Sequence, residues 1–198
     1  MLPAVITVTT TTDELNADGD CSLREAIVAA NTNAGVDACP AGSGADTITL
    51  PAGTFTFSLA GINENAAATG DLDIVDDLTL VGDSTATTII DVAGLDRAFE
   101  LYLDPVVAMS RLSITNAAGS TAGVAILIAG TSSLSLTLVR ISDTAGASPA
   151  IYLLSGSNLS LVSTWIEDNA GGGLRTYQST TTMIRNSVFS GNLSLIHI

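Results

Sequence analysis

Residues 126–141 read ILIAGTSSLSLTLVRI, and residues 151–166 repeat the pattern as IYLLSGSNLSLVSTWI. The same frame occurs at 99–114, FELYLDPVVAMSRLSI, and at 174–189, LRTYQSTTTMIRNSVF. In each copy the mostly apolar positions form three pairs, and the two members of a pair lie two residues apart. The length of the frame is constant, so all variation in spacing falls in the connection from one copy to the next.

A period of two indicates β-strands with alternate side chains on one face. Three short strands per copy, separated by Gly, Ser, Asn and Asp, predict one coil of a parallel β-solenoid, in which equivalent residues of successive coils stack ~4.8 Å apart. Similar apolar pairs in 72–90 and 48–57 add earlier coils. We therefore predict an all-β parallel β-helix of about six coils. The alternative, an antiparallel sandwich, does not require a frame of constant length.

Composition excludes several classes of protein. The chain has 198 residues, of which 46% are hydrophobic, so it is not a disordered polypeptide. Six basic against twenty acidic residues give a net charge of −14, which repels phosphate backbones, so nucleic acid is not an expected partner. No apolar run reaches the roughly 20 residues of a membrane helix, so we expect no membrane span in this segment.

The residues before the first coil predict a helical cap. Ser22 and Glu25 have the spacing of a capping box, and apolar residues follow at helical spacing until Asn31. A short α-helix there would cover the exposed edge of the first coil. The sequence thus divides into an N-terminal cap with helix at 1–45, coils at 46–192 and a tail at 193–198, within one continuous domain.

The two cysteines, Cys21 and Cys39, are predicted to form a disulfide that staples this cap, because no other cysteine competes. The alternative is two independent buried thiols. A disulfide favours an extracellular location, although the first residues lack the basic region and apolar core of a signal peptide.

The tail, LSLIHI at 193–198, resembles the translated end of a transposon adapter used in sequencing libraries. We therefore expect it to be non-native and the coils to be truncated after Asn192, so His197 is given no catalytic role. The alternative is an ordinary apolar strand.

The run DCSLREAI at 20–27, followed by Ala-Ala-Asn at 29–31, resembles the signature of bacterial CSLREA-domain proteins. The stretches GADTITLPAGT at 44–54 and GDLDI at 70–74 resemble the same family. The resemblance implies a secreted, cell-surface or outer-membrane protein with a right-handed parallel β-helix of the pectin-lyase-like type. It implies no particular activity.

One polar loop has the ligand spacing of an EF-hand-like calcium site. The candidate ligands are Glu14, Asn16, Asp18, Asp20 and Glu25, with a glycine at the sixth loop position. Calcium is therefore a candidate cofactor, but Glu25 is also claimed by the capping box. The alternative is a polar turn that places carboxylates near a helix N-terminus.

Two pairs of large side chains are predicted to face outward on adjacent coils. Trp165 lies beside Arg140, and Tyr152 lies beside Arg175. These pairs are candidate contacts for a carbohydrate or a surface protein; alternatively, they cover the sheet by cation–π packing.

The sequence favours a non-enzymatic secreted or cell-surface scaffold with a role in adhesion. The alternative is a polysaccharide-acting module, lyase-like or hydrolase-like, whose active residues lie in missing coils; it rests on fold analogy alone. A lyase of that kind needs a basic residue to abstract a proton, and the chain has no Lys. We predict no catalytic residue in this segment.

Overall fold

A computed structural model describes residues 2–62, 64–119 and 123–197. Met1 and Ile198, the outermost residues of the predicted cap and tail, lie outside them. The described chain has one helix, α1 (Leu23–Thr32), and strands that pair in parallel throughout. The strands are β1 Val5–Thr7, β2 Asp46–Thr49, β3 Gly53–Thr56, β4 Leu72–Ile74, β5 Leu78–Val81, β6 Thr88–Asp91, β7 Phe99–Leu101, β8 Val106–Thr115, β9 Ile126–Ile128, β10 Ser133–Ser142, β11 Ile151–Leu153, β12 Asn158–Val162, β13 Trp165–Glu167, β14 Gly172–Thr176, β15 Thr181–Arg185, β16 Val188–Ser190 and β17 Ser194–His197.

The strands form two sheets that run along the stack of coils. In the first sheet the order is β1-β2-β5-β8-β10-β12-β15, and β3, β6, β13 and β16 extend it around a corner. In the second sheet the order is β17-β14-β11-β9-β7-β4. Neighbours in each sheet come from successive coils, so the predicted parallel β-helix is confirmed.

The register confirms the repeat frame residue by residue. Ile141 pairs with Ile114 of the coil before and with Ile166 of the coil after. All three side chains are fully buried, because like residues stack in one interior row. Ser135 pairs with Ser160 in the same way but lies on the half-buried outer face.

The number of coils is smaller than the predicted six. The solenoid has about four complete turns: four separate β4 from β14 in the second sheet, and β17 begins the next one. The prediction counted the apolar pairs before Leu72 as a full coil. The second sheet begins only at β4, and α1 packs beside that strand.

Residues with left-handed backbone conformation form two corners of the coils. One corner has the same conformation in four coils, at Arg111, Leu138, Ser163 and Asn186, with φ between 49° and 57°. The next corner is formed by Asn116, Asp143, Asp168 and Gly191, with φ between 55° and 64°. Asn, Asp and Gly tolerate this conformation best, which explains why they recur at the second corner.

The helix follows the sequence prediction at its start and differs at its end. Ser22 is the N-cap, and the capping box with Glu25 is present. The helix continues through Thr32, one residue beyond the predicted end at Asn31, because Asn33 adopts the left-handed conformation that ends it.

The tail contains β17, which pairs with β14 and extends the second sheet. The non-native origin of this segment stays a prediction.

Candidate functional site

The disulfide of the cap is confirmed. Cys21 and Cys39 are bonded, their Cα atoms lie 4.9 Å apart, and both residues are buried. The bond joins the residue before the N-cap to the segment that follows α1. A disulfide of this kind is compatible with an extracellular location.

Arg24 connects three segments of the cap. Arg24 is 1% exposed, and its guanidinium forms an ion pair with Asp13 at 2.7 Å. It also donates hydrogen bonds of 2.9 Å to the carbonyl oxygens of Ala67 and Gly70, and it lies 5.5 Å from the centre of the Phe57 ring. This side chain therefore ties the N-terminal segment and α1 to the loop that precedes β4.

Asn31 caps the edge of the second sheet. Its side-chain amide donates to the carbonyl oxygen of Asp73 at 2.7 Å and accepts from the amide of Val75 at 3.1 Å. The side chain thus provides the pair of hydrogen bonds that a preceding strand would give to β4. Cys21, Ser22, Arg24, Glu25 and Asn31 are all engaged in structural bonds, so the motif that resembles CSLREA proteins builds an end cap.

The structure brings together part of the predicted calcium loop. Carboxylate oxygens of Glu14, Asp18 and Asp20 lie within 4.8 Å of one another. The Asn16 amide donates to Glu14 at 2.8 Å, and Glu25 accepts from the backbone amides of Ser22 and Asn16 at 2.9 and 3.0 Å. Calcium at these five residues stays a prediction, with both Glu25 oxygens already engaged.

Burial and neighbouring negative charges raise the pKa values of two carboxyl groups in this loop. Burial, followed by the charges of Asp18 and Asp20, raises the pKa of Glu14. Burial and the Asp18 charge likewise raise the pKa of Asp20. Asp37, which the sequence did not single out, accepts hydrogen bonds from the backbone amides of Gly19 and Asp20 and thereby holds the loop in place.

The second outward pair forms a small aromatic cluster. The Arg175 guanidinium lies 5.4 Å from the centre of the Tyr152 ring and 5.5 Å from that of Tyr177. The two rings lie 5.6 Å apart at 51°. Tyr152 is nearly buried, whereas Tyr177 is 45% exposed. Tyr177 was missed because it follows β14 at a turn.

Arg140 and Trp165, the first predicted outward pair, lie side by side in the sheet, but their side chains contact different groups. Arg140 and Trp165 are direct partners on adjacent coils. The guanidinium of Arg140 forms an ion pair with Glu167 at 2.6 Å. Trp165, which is 37% exposed, lines a shallow recess with Arg111 and Leu138.

A cluster that the sequence analysis missed lies where β4 meets β7. Carboxylate oxygens of Asp71, Asp73 and Glu100 lie within 4.8 Å of one another, and Arg97 forms ion pairs with Asp71 and Glu100. Burial raises the pKa of Asp71 to about 7 and that of Asp73 to about 6. A signal was present in the sequence, because Asp73 and Glu100 each lie between the two apolar residues of an equivalent pair.

Comparison with protein-family models, curated proteins and solved structures finds no match to this chain. No helix in the described part of the chain has the length and apolar character needed to cross a bilayer.

Proposed function

We propose that this chain is a non-enzymatic β-helix scaffold of the CSLREA type, located at a bacterial cell surface or secreted. Its stacked coils hold an outer binding face in a fixed position, and the partner is a carbohydrate or a surface protein. The disulfide and the capped first coil support a role outside the cytoplasm.

The observation that carries the proposal is the cluster of Tyr152, Arg175 and Tyr177. Aromatic rings with one open face stack on sugar rings or apolar side chains, and a neighbouring guanidinium adds a hydrogen-bond donor. The cluster spans two coils, since Tyr152 and Arg175 are register partners of β11 and β14. The solenoid therefore fixes the positions of Tyr152 and Arg175, and Tyr177 follows directly after β14.

The packing of the coils supports a scaffold. Rows such as Leu136–Leu161 and Ile141–Ile166 fill the interior with fully buried apolar side chains. Binding at these coils therefore takes place on the outside. The net charge of −14 disfavours polyanionic partners, so neutral glycans and proteins with cationic surfaces are the first candidates.

The test measures binding and turnover on the same samples. The protein is titrated by calorimetry with a panel of neutral oligosaccharides and with cell-wall glycan fragments. Tyr177→Ala removes the exposed ring, and Val106→Ala, an exposed residue of the first sheet, is the matched control. We expect a ligand whose affinity falls at least tenfold in Tyr177→Ala and is unchanged in Val106→Ala.

Reducing ends and unsaturated products are followed in parallel, with polygalacturonate added to the panel and millimolar calcium present. Turnover that co-purifies with the protein would contradict the scaffold and favour the polysaccharide-acting alternative. Equal binding by Tyr177→Ala and the unmodified protein would show that this cluster is not the binding face.

A further inference from the structure

The stacking of two coils assembles three carboxyl groups from distant parts of the sequence. Asp73 of β4 and Glu100 of β7 are register partners, so they lie side by side on adjacent strands. Asp71 directly precedes β4 and approaches the same point, and oxygens of all three groups lie within 4.8 Å of one another. Like charges placed directly opposite each other on neighbouring strands destabilise a sheet unless something compensates them.

The cluster is shielded from water. Asp73 is 0% exposed and Asp71 is 4% exposed. One oxygen of Asp73, Oδ2, accepts the backbone amide of Ala67 at 2.9 Å. Among the described residues, the other oxygen, Oδ1, is buried without a hydrogen-bond partner. A buried carboxylate oxygen without a hydrogen-bond partner lowers the stability of the fold, and it is available to bind a cation.

One guanidinium does not balance the cluster. Arg97 approaches Asp71 at 3.0 Å and Glu100 at 3.1 Å. Three carboxylates therefore share one positive charge, and the charge of Glu64 acts on Asp73 as well. The remaining negative charge is about that of two carboxylates, which a divalent cation would neutralise.

We propose that Asp71, Asp73 and Glu100 form a binding site for a hard divalent cation, with calcium as the fitting ion. Carboxylate oxygens are the ligands that calcium prefers, and its flexible coordination accepts one-sided clusters completed by water. The ion would join β4 to β7 and so lock the first strand of the second sheet to the next coil. The inference is independent of the proposed binding function, because it concerns different residues.

The competing explanation is a shared proton. The raised pKa of Asp71, about 7, shows that burial disfavours three separate anions here. A proton on Asp71 would relieve this repulsion without any metal. At a fixed pH of 8 the two explanations differ, because only a cation site gives stability that depends on calcium concentration.

The experiment measures thermal unfolding of the protein at pH 8, first after treatment with EDTA and then in 10 mM CaCl2. An extracellular-type site with a dissociation constant near 0.1 mM should raise the melting temperature by about 5–11 °C under these conditions. Asp73→Asn keeps the acceptor for the Ala67 amide but removes the charge, and Glu100→Gln provides a second variant on the less buried residue.

The matched control is Asp20→Asn, which disables the predicted loop site near the helix. Terbium luminescence excited through tyrosine is the second readout, because Tyr102 lies close to the cluster: burial raises its pKa, and the charges of Asp73 and Glu100 raise it further.

We expect the calcium shift and the terbium signal in the unmodified protein and in Asp20→Asn, and their loss in Asp73→Asn and Glu100→Gln. The absence of a calcium shift in the unmodified protein would overturn the proposal. So would a shift that disappears in Asp20→Asn but persists in Glu100→Gln, which would assign the ion to the loop near the helix.

Discussion

Arg24→Met is the substitution that tests the cap most sharply. Methionine has a similar length and can keep the contact with Phe57, but it cannot donate hydrogen bonds. The change removes the ion pair with Asp13 and leaves the carbonyl oxygens of Ala67 and Gly70 without their donor. Asp13 retains the backbone amides of Ser58 and Leu59 as partners.

The expected loss follows from burial. Removing one member of a buried ion pair costs about 3–5 kcal/mol of unfolding free energy, because the other charge stays behind. For a chain of this length each kcal/mol shifts the melting temperature by roughly 2–4 °C, so we expect a decrease of about 6–20 °C. The two amides that still bind Asp13 favour the lower half of that range.

The assay is thermal and urea unfolding, followed by far-ultraviolet circular dichroism and by the fluorescence of Trp165. Arg185→Met is the matched control, since Arg185 is exposed on β15 and its loss should cost less than about 0.5 kcal/mol. The single variant Asp13→Asn and the double variant with Arg24→Met complete a double-mutant cycle, which isolates the interaction energy between Asp13 and Arg24. If Arg24→Met melts within 1 °C of Arg185→Met, Arg24 does not hold the cap together.

Three further predictions concern the coils and the disulfide. Ile141→Asp should lower the free energy of unfolding by about 4 kcal/mol or more, because it buries an unpaired charge in an interior row. Ser135→Asp on the outer face should lower it little. Equal melting temperatures of the two variants would contradict the assignment of inner and outer faces. Cys21→Ser should lower stability by about 3 kcal/mol in denaturant titrations by removing the disulfide, and an unchanged midpoint would show that the cap does not depend on it. Asn169→Ala should lower the free energy of unfolding by about 2 kcal/mol, because the buried Asn169 side chain donates a hydrogen bond to the carbonyl of Ile141 and accepts one from the amide of Thr144. Hydrogen exchange of the Thr144 amide should accelerate in this variant. Unchanged protection of that amide would contradict this role.

The coils could be predicted because their determinants are local and repeated. Alternation within Leu134-Ser135-Leu136 defines an inner and an outer face, and a frame of constant length brings each copy into register with the next. The disulfide and the start of α1 were predictable for the same reason, since Cys21, Ser22 and Glu25 act on neighbours in the sequence or on the single other cysteine.

The contacts of Arg24 and the packing of the carboxyl cluster could not be predicted, because they join segments that are distant in the sequence. The acceptors of Arg24 at Ala67 and Gly70 lie more than forty residues away, and the loop that carries them has no repeat. The repeat places Asp73 and Glu100 at equivalent positions, but the approach of Asp71 and the burial of the cluster depend on how the two coils pack. The number of complete turns was overestimated because an apolar pair predicts a strand but not whether all sides of its coil are present.

The register of the whole stack can be measured directly by pulsed electron paramagnetic resonance. Thr47 is linked through successive partners to Ser135, Ser160 and Met183 in the first sheet. Spin labels on cysteines placed at Thr47 and at one of these three residues should report distances near ~14, ~19 and ~24 Å, since each coil adds ~4.8 Å. The native disulfide leaves no other thiol to label. A regular increase of about one strand spacing per coil is the predicted result. Distances that do not increase in that order would contradict the stacked parallel coils on which the cap, the cation site and the binding face all depend.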